Sequence, residues 1–168
     1  GLEQQLAFGD LLYMHRHQPL MKPFYEWKAF GTVYVEPATP QDHEQILEMV
    51  RRHEGPESGR IAAYWLRRQP QAFLAFRSAD PLPIGFIANL RLEDPNPEDL
   101  EADPAIRAAW EYVHRYGPLR PGEFIFHHRF KMGREVYHNP LVQNLVAIAC
   151  SQLWLTSANL AWAFPTEA

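Results

Sequence analysis

Residues 123–132 alternate without a break, with Phe124, Phe126, His128, Phe130 and Met132 on one side of an extended chain and Glu123, Ile125, His127, Arg129 and Lys131 on the other. Ten residues with this period predict a strand roughly 30 Å long, which has to sit inside a sheet. Its aromatic side is expected to face a core and its charged side to face away. A polar loop follows, and Asn139-Pro140 then opens a helix to about residue 154 that is apolar nearly all round, which predicts burial. A long strand joined to a buried helix needs further strands beside it and a second layer over it, so the expected fold class is α+β with a mixed central sheet flanked by helices.

The rest of the chain supplies those partners. Residues 32–36 carry the β-branched and aromatic content of a strand. Thr39, Pro40 and Asp42 form a helix start of the capping-box kind, and Ile46, Leu47 and Val50 share one face of the helix, which stops near residues 53–55. Ser58 is placed to cap a second helix carrying Ile61, Ala62, Trp65 and Leu66, ended by Gln69-Pro70. The period then changes: residues 71–77 and 84–92 read as two antiparallel strands around the turn at 78–83. An acidic, proline-containing surface excursion spans 93–102. Asp103-Pro104 opens a helix with Ile106, Trp110 and Val113 on one stripe, closed by Gly117-Pro118, and residues 159–164 form a short last strand. Residues 1–31 read as an N-terminal arm or linker, helical over 2–16 and broken over 17–23, ahead of a domain at 32–168. Because helix-forming residues begin at once after Gly1, the chain is expected to be a piece of a longer polypeptide.

With 168 residues the chain is long enough for one core without metal or disulfide support. Sixteen basic against 20 acidic residues give a net charge of −4, so no long-range field draws a polyanion, and no nucleic acid is expected as a partner. Arg51, Arg52, Arg67 and Arg68 flank helix ends, where they complement the helix dipole. The lone Cys150 lies in an apolar run and reads as a buried, inert thiol of a reducing compartment. No apolar stretch approaches the roughly 20 residues of a bilayer span, and no basic-then-apolar leader is seen, so a cytoplasmic protein without membrane contact is expected. Eight histidines raise the question of a metal. His127 and His128, as strand neighbours, point to opposite faces and cannot chelate one ion together, and no metal is expected.

Residues 35–42, 72–77 and 84–86 occur in an order that resembles the GNAT superfamily of acyltransferases, over about residues 32–164 and up to the strand after its central helix. The resemblance implies a GNAT-like sheet whose C-terminal strands are missing or supplied by a partner or by the arm. It also implies transfer of an acyl group from acetyl-CoA, or another acyl-CoA, to a small-molecule amine or a protein acceptor. Residues 68–70, 102–105, 109–112 and 118–123 also resemble a region on the C-terminal side of large bacterial AAA-type ATP-binding proteins. This second resemblance implies one part of a multidomain regulator. No G-x-x-x-x-G-K-[ST] occurs in the chain, so ATP is not expected to bind here through a phosphate loop.

In the superfamily the cofactor pyrophosphate lies at the start of the central helix, where unpaired amides and the dipole attract anions. The matching stretch here has Gly133 and Arg134, but Tyr137, His138 and Asn139 stand where small residues are usual, and Pro140 lacks a donor. The resemblance makes Phe130, Lys131, Met132, Gly133, Arg134, His138 and Asn139 the cofactor wall. Arg134, His138 and Asn139 are able to offer side-chain contacts in place of amides. The base candidates are His127, read on the polar face, and Glu123, if burial raises its pKa. Two functions therefore stand open: an acyl-CoA-dependent N-acyltransferase with a degenerate pyrophosphate loop, and a non-catalytic sensing or interaction module. The uncovered sheet edge predicts a homo-oligomer, an exchanged arm or an intramolecular domain partner.

Overall fold

The computed structural model describes residues 33–165. They form an α+β domain with five strands and four α-helices. The strands are β1 (Tyr34–Pro37), β2 (Phe73–Arg77), β3 (Gly85–Leu92), β4 (Phe124–Gly133) and β5 (Leu160–Pro165). The helices are α1 (His43–Arg68), α2 (Pro97–Ala102), α3 (Pro104–Tyr116) and α4 (Pro140–Thr156). The predicted arm at 1–31 lies outside the described residues.

The sheet follows chain order, β1-β2-β3-β4-β5. Its first four strands are antiparallel neighbours, whereas β5 lies parallel to β4 because α4 carries the chain back across the sheet between them. One face of the sheet holds the larger core, in which Ile46, Met49, Trp65 and Leu66 of α1 and Ile106 and Val113 of α3 meet Phe73, Phe86, Leu90, Ile125, Phe130 and Met132. The other face packs α4, through Val142, Leu145, Val146 and Cys150, onto Phe76 and Ile87.

Proline opens most of these helices. Pro97, Pro104 and Pro140 each occupy the first turn, where the missing N–H has no helical partner to lose. α1 is two helices in succession. Gly55 adopts φ 91° and ψ 176°, Pro56 follows, and the helical path restarts there. The second half thus begins at Pro56 and not after a Ser58 cap, because Pro56 already satisfies the first-turn geometry. The excursion at 93–102 contains α2. Its Asn96 and Asp99 form a reciprocal capping box, with the Asp99 amide donating to Asn96 Oδ1 at 2.8 Å and the Asn96 amide donating to Asp99 Oδ2 at 3.0 Å.

The strict alternation expected along β4 is interrupted. Ala88 pairs with Phe130 but its neighbour Asn89 pairs with His128, so Arg129 is an extra residue, a β-bulge. Up to His127 the strand keeps its phase, and Ile125 and His127 look toward α1 and α3. After the bulge the phase is reversed, and Phe130 and Met132 join that same core while Lys131 lies on the α4 side with His128. The predicted charged face is therefore no outer face: α4 covers one side of β4, α1 and α3 the other, and His127, His128 and Arg129 are all buried. α4 is likewise only partly covered, since Trp154 and Leu155 near its end are exposed in spite of its overall apolar character.

Candidate functional site

The loop between β4 and α4 is built from side chains that hold one another. Asn139 Oδ1 accepts the amides of Leu141 at 3.0 Å and Val142 at 3.3 Å, and its carbonyl accepts the amide of Gln143 at 2.9 Å. Pro140 has no amide, so the donors of the first helical turn are already spoken for. The amide of Gly133 donates to the Tyr137 carbonyl, that of Arg134 to the Ile84 carbonyl and that of Asn139 to the Val136 carbonyl. A methyl group on Gly133 would lie 2.5 Å from the Val136 carbonyl oxygen and 2.8 Å from Asn139 Cβ, so the bare glycine serves the folding of the loop on itself.

Arg134 is engaged as well. Its guanidinium donates to Asp80 at 3.0 Å and to Glu135 at 3.2 Å, and Asp80 is in turn held below the usual carboxylate range chiefly by that arginine. The rest of the loop leans on the end of the first half of α1. Tyr137 donates its hydroxyl to Glu54 at 2.9 Å, and the His53 ring nitrogen lies 3.2 Å from the Arg134 carbonyl oxygen. His138 is exposed, edge-on to Tyr137.

The other predicted wall residues are divided by the bulge. Phe130 and Met132 are sealed in the α1–α3 core, with the Arg129 guanidinium 4.4 Å above the Phe130 ring, and Lys131 alone faces the α4 side. The two base candidates also part. Glu123 stands before the first residue of β4, where its carboxylate accepts the amide of Arg120 at 2.8 Å and its own amide donates to the Arg120 carbonyl. It clamps a turn there, roughly 30 Å along the strand from the loop after Gly133. His127 is buried against Phe164, ring centroids 6.2 Å apart. Burial pulls its pKa down to about 4, with the raising effect of Asp103 and the lowering effect of Arg129 both smaller.

Beneath His127 runs a buried ion pair that sequence reading missed. Arg129 Nε donates to Asp103 at 2.8 Å, the indole N–H of Trp65 donates to the same carboxylate at 2.8 Å, and Asp103 also caps α3 by accepting the Ala105 amide. The cue available in sequence was Asp103 as an N-cap; that it would also neutralise Arg129 depends on the bulge.

On the α4 side His128 sits in a cluster with definite proton positions. Trp154 Nε1 is solely a donor and donates to His128 Nε2 at 3.2 Å, so Nε2 is unprotonated. Nδ1 therefore carries the hydrogen and donates to Asn89 Oδ1 at 2.6 Å. Asn89 Nδ2 is buried and finds no acceptor among the described residues. Cys150 Sγ lies 3.7 Å from the same Nδ1. Cysteine, histidine and asparagine side by side suggest a nucleophile and its base, but the environment drives them the wrong way. Burial pushes the thiol up to about 11 and the imidazole down to about 4, the reverse of a thiolate–imidazolium pair.

His128, Cys150 and Trp154 form one wall of an open cleft of about 480 Å³ between α4 and β5. The cleft arises from the alternation in β5: Leu160, Trp162 and Phe164 are half-buried, Trp162 and Phe164 packing on the α3 side, while Ala161 and Ala163 turn small side chains toward α4. Trp154 and Lys131 border it, and among the described residues no carboxylate does. Among the described residues no group of histidine, cysteine and acidic side chains is arranged to hold a metal ion, and no helix is long and apolar enough to cross a membrane.

No family model, no curated protein and no solved structure matches this chain.

Proposed function

We propose that this chain is a non-catalytic sensing or interaction module on a GNAT-like scaffold, working as one part of a multidomain ATP-binding regulator. The observation that carries this reading is Asn139. A pyrophosphate at the mouth of α4 would need the amides that Asn139 Oδ1 and its carbonyl already hold. Two further features support it: the Arg134 charge is matched by Asp80 and Glu135, and neither His127 nor Glu123 stands where it would meet an amine beside that loop. The chemistry left to such a domain is binding.

A second reading, an N-acyltransferase using acetyl-CoA or another acyl-CoA on an amine or protein acceptor, is favoured by one observation. β4 and β5 are parallel and pair only as far as His128 and Pro165, so among the described residues β4 runs on to Gly133 without β5 beside it. One calorimetric titration decides between the two. The binding-module reading expects no saturable heat with acetyl-CoA up to about 1 mM. Micromolar binding that weakens in Arg134→Ala would replace it with the enzyme.

A further inference from the structure

We propose that the cleft between α4 and β5 binds an amphipathic carboxylate, with the Lys131 ammonium taking the carboxylate and the apolar walls taking an alkyl or aryl body. The proposal rests on reading the domain as a binding module and names the ligand class for it.

Three of the hollows on the described surface can be compared by how their cation is matched. In the hollow of about 280 Å³ beside α2, Arg68 is paired with Asp99 and Arg91 with Glu93. In the hollow by β1, Arg77 donates to Glu36 and to Asp42, both at 2.7 Å. Lys131, in the cleft of about 480 Å³, has no carboxylate or hydrogen-bond partner among the described residues. A half-buried ammonium on an apolar wall favours an anion that brings its own apolar surface.

Among the described residues, the neighbours of Lys131 leave it as the sole charge there. His128 is neutral because Trp154 donates to it, and the Cys150 thiol is protonated. One cation without an amide cradle matches a monoanion; a phosphate dianion would find half its charge unmet. The cleft also falls in the lower half of the size range of small-molecule sites, which argues for a compact ligand over a peptide. Ala161 and Ala163 provide the room, and the exposed Trp154 indole provides a flat apolar side.

The test is a calorimetric titration of the full chain with decanoate, and with decylamine and decanol as chain-matched controls. Saturable decanoate binding is expected. It should be weaker by about tenfold in Lys131→Met, the loss of one charge-assisted contact, and abolished in Ala163→Trp, which fills the cleft from the β5 side. Lys131→Gln, which removes the charge but keeps a polar end, serves if the methionine variant does not fold. Absence of saturable binding, equal affinity for decylamine, or decanoate affinity unchanged by either cleft substitution would each overturn the proposal. Acetyl-CoA turnover would overturn the binding-module reading alone, leaving the decanoate result to decide the cleft.

Discussion

Trp154 donates its indole N–H to Nε2 of His128 at 3.2 Å, one strand and one helix locking a single tautomer. A ring so held is neutral, and protonating it requires breaking that bond inside a buried cluster.

Acid should therefore destabilise this domain earlier than its carboxylates alone would. His127 and His128 both have folded pKa values near 4, lowered by burial from 6.5. Between those values the unfolded chain binds the more protons, so stability is complete above about pH 6.5 and falls as the pH drops toward 4; below 4 these two add no further loss. Each contributes up to roughly 3 kcal/mol across that window. Urea midpoints measured from pH 7 to pH 4 should fall steeply, and His127→Phe should flatten the slope. An unchanged slope would mean that His127 is protonated in the folded state.

Asn139→Ala should weaken the domain by about 1 kcal/mol through loss of the cap on α4. Asn139→Asp keeps the acceptor and adds a charge that suits the helix N-terminus, so its thermal midpoint should match or exceed that of the parent. If alanine is neutral, the cap seen at Leu141 and Val142 carries no weight.

Asp103→Ala should be among the most damaging single changes in the fold. It strands the buried Arg129 guanidinium, the Trp65 indole N–H and the first turn of α3 together. Removing one partner of a buried pair costs about 3–5 kcal/mol. The double variant Asp103→Ala, Arg129→Met should recover part of the loss in urea unfolding; a double variant no better than the single would put the weight on Trp65 and the cap.

Gly85→Ala should cost about 1–3 kcal/mol, because the added methyl would meet the Met132 carbonyl oxygen at 2.6 Å and the Val142 methyls at 2.9 and 3.0 Å. Gly122→Ala also destabilises, but by a different route: its φ of 84° strains an alanine in a turn with space around it. Denaturant unfolding in the Val142→Ala background should show the first loss reduced, with the part due to the Met132 carbonyl remaining, and the second unchanged.

Much of this fold could be read in the sequence because local signals and tertiary structure agree. Thr39-Pro40, Asp103-Pro104 and Asn139-Pro140 start helical turns where the capping pattern says they should, and the strands at 84–92 and 123–132 lie within a residue of their expected bounds. The same pattern at Asn96, Pro97 and Asp99 is masked by the acidic residues around it, which suggest solvent, although Asp99 is buried and receives Tyr64 and Arg68. The phase reversal in β4 left no local mark, since Arg129 and Phe130 are each acceptable strand residues and the extra position is defined only by pairing with β3. Without that phase change, the sequence places His127 on a solvent-facing side and makes the cofactor wall continuous. The cleft had a readable cue, alanines at 161 and 163 between bulky neighbours, but what makes it a cleft is the Trp154 that α4 sets across from them.

The inserted position at Arg129 also bears on how this strand tolerates change in length. Excising one residue there would restore an even pleat, and everything from 130 to 133 would turn over: Phe130 and Met132 would be thrust at α4 while the Lys131 amine was driven into the aromatic interior. Homologous chains that keep this architecture should therefore vary freely in side-chain identity along the segment before they vary by a single residue in count.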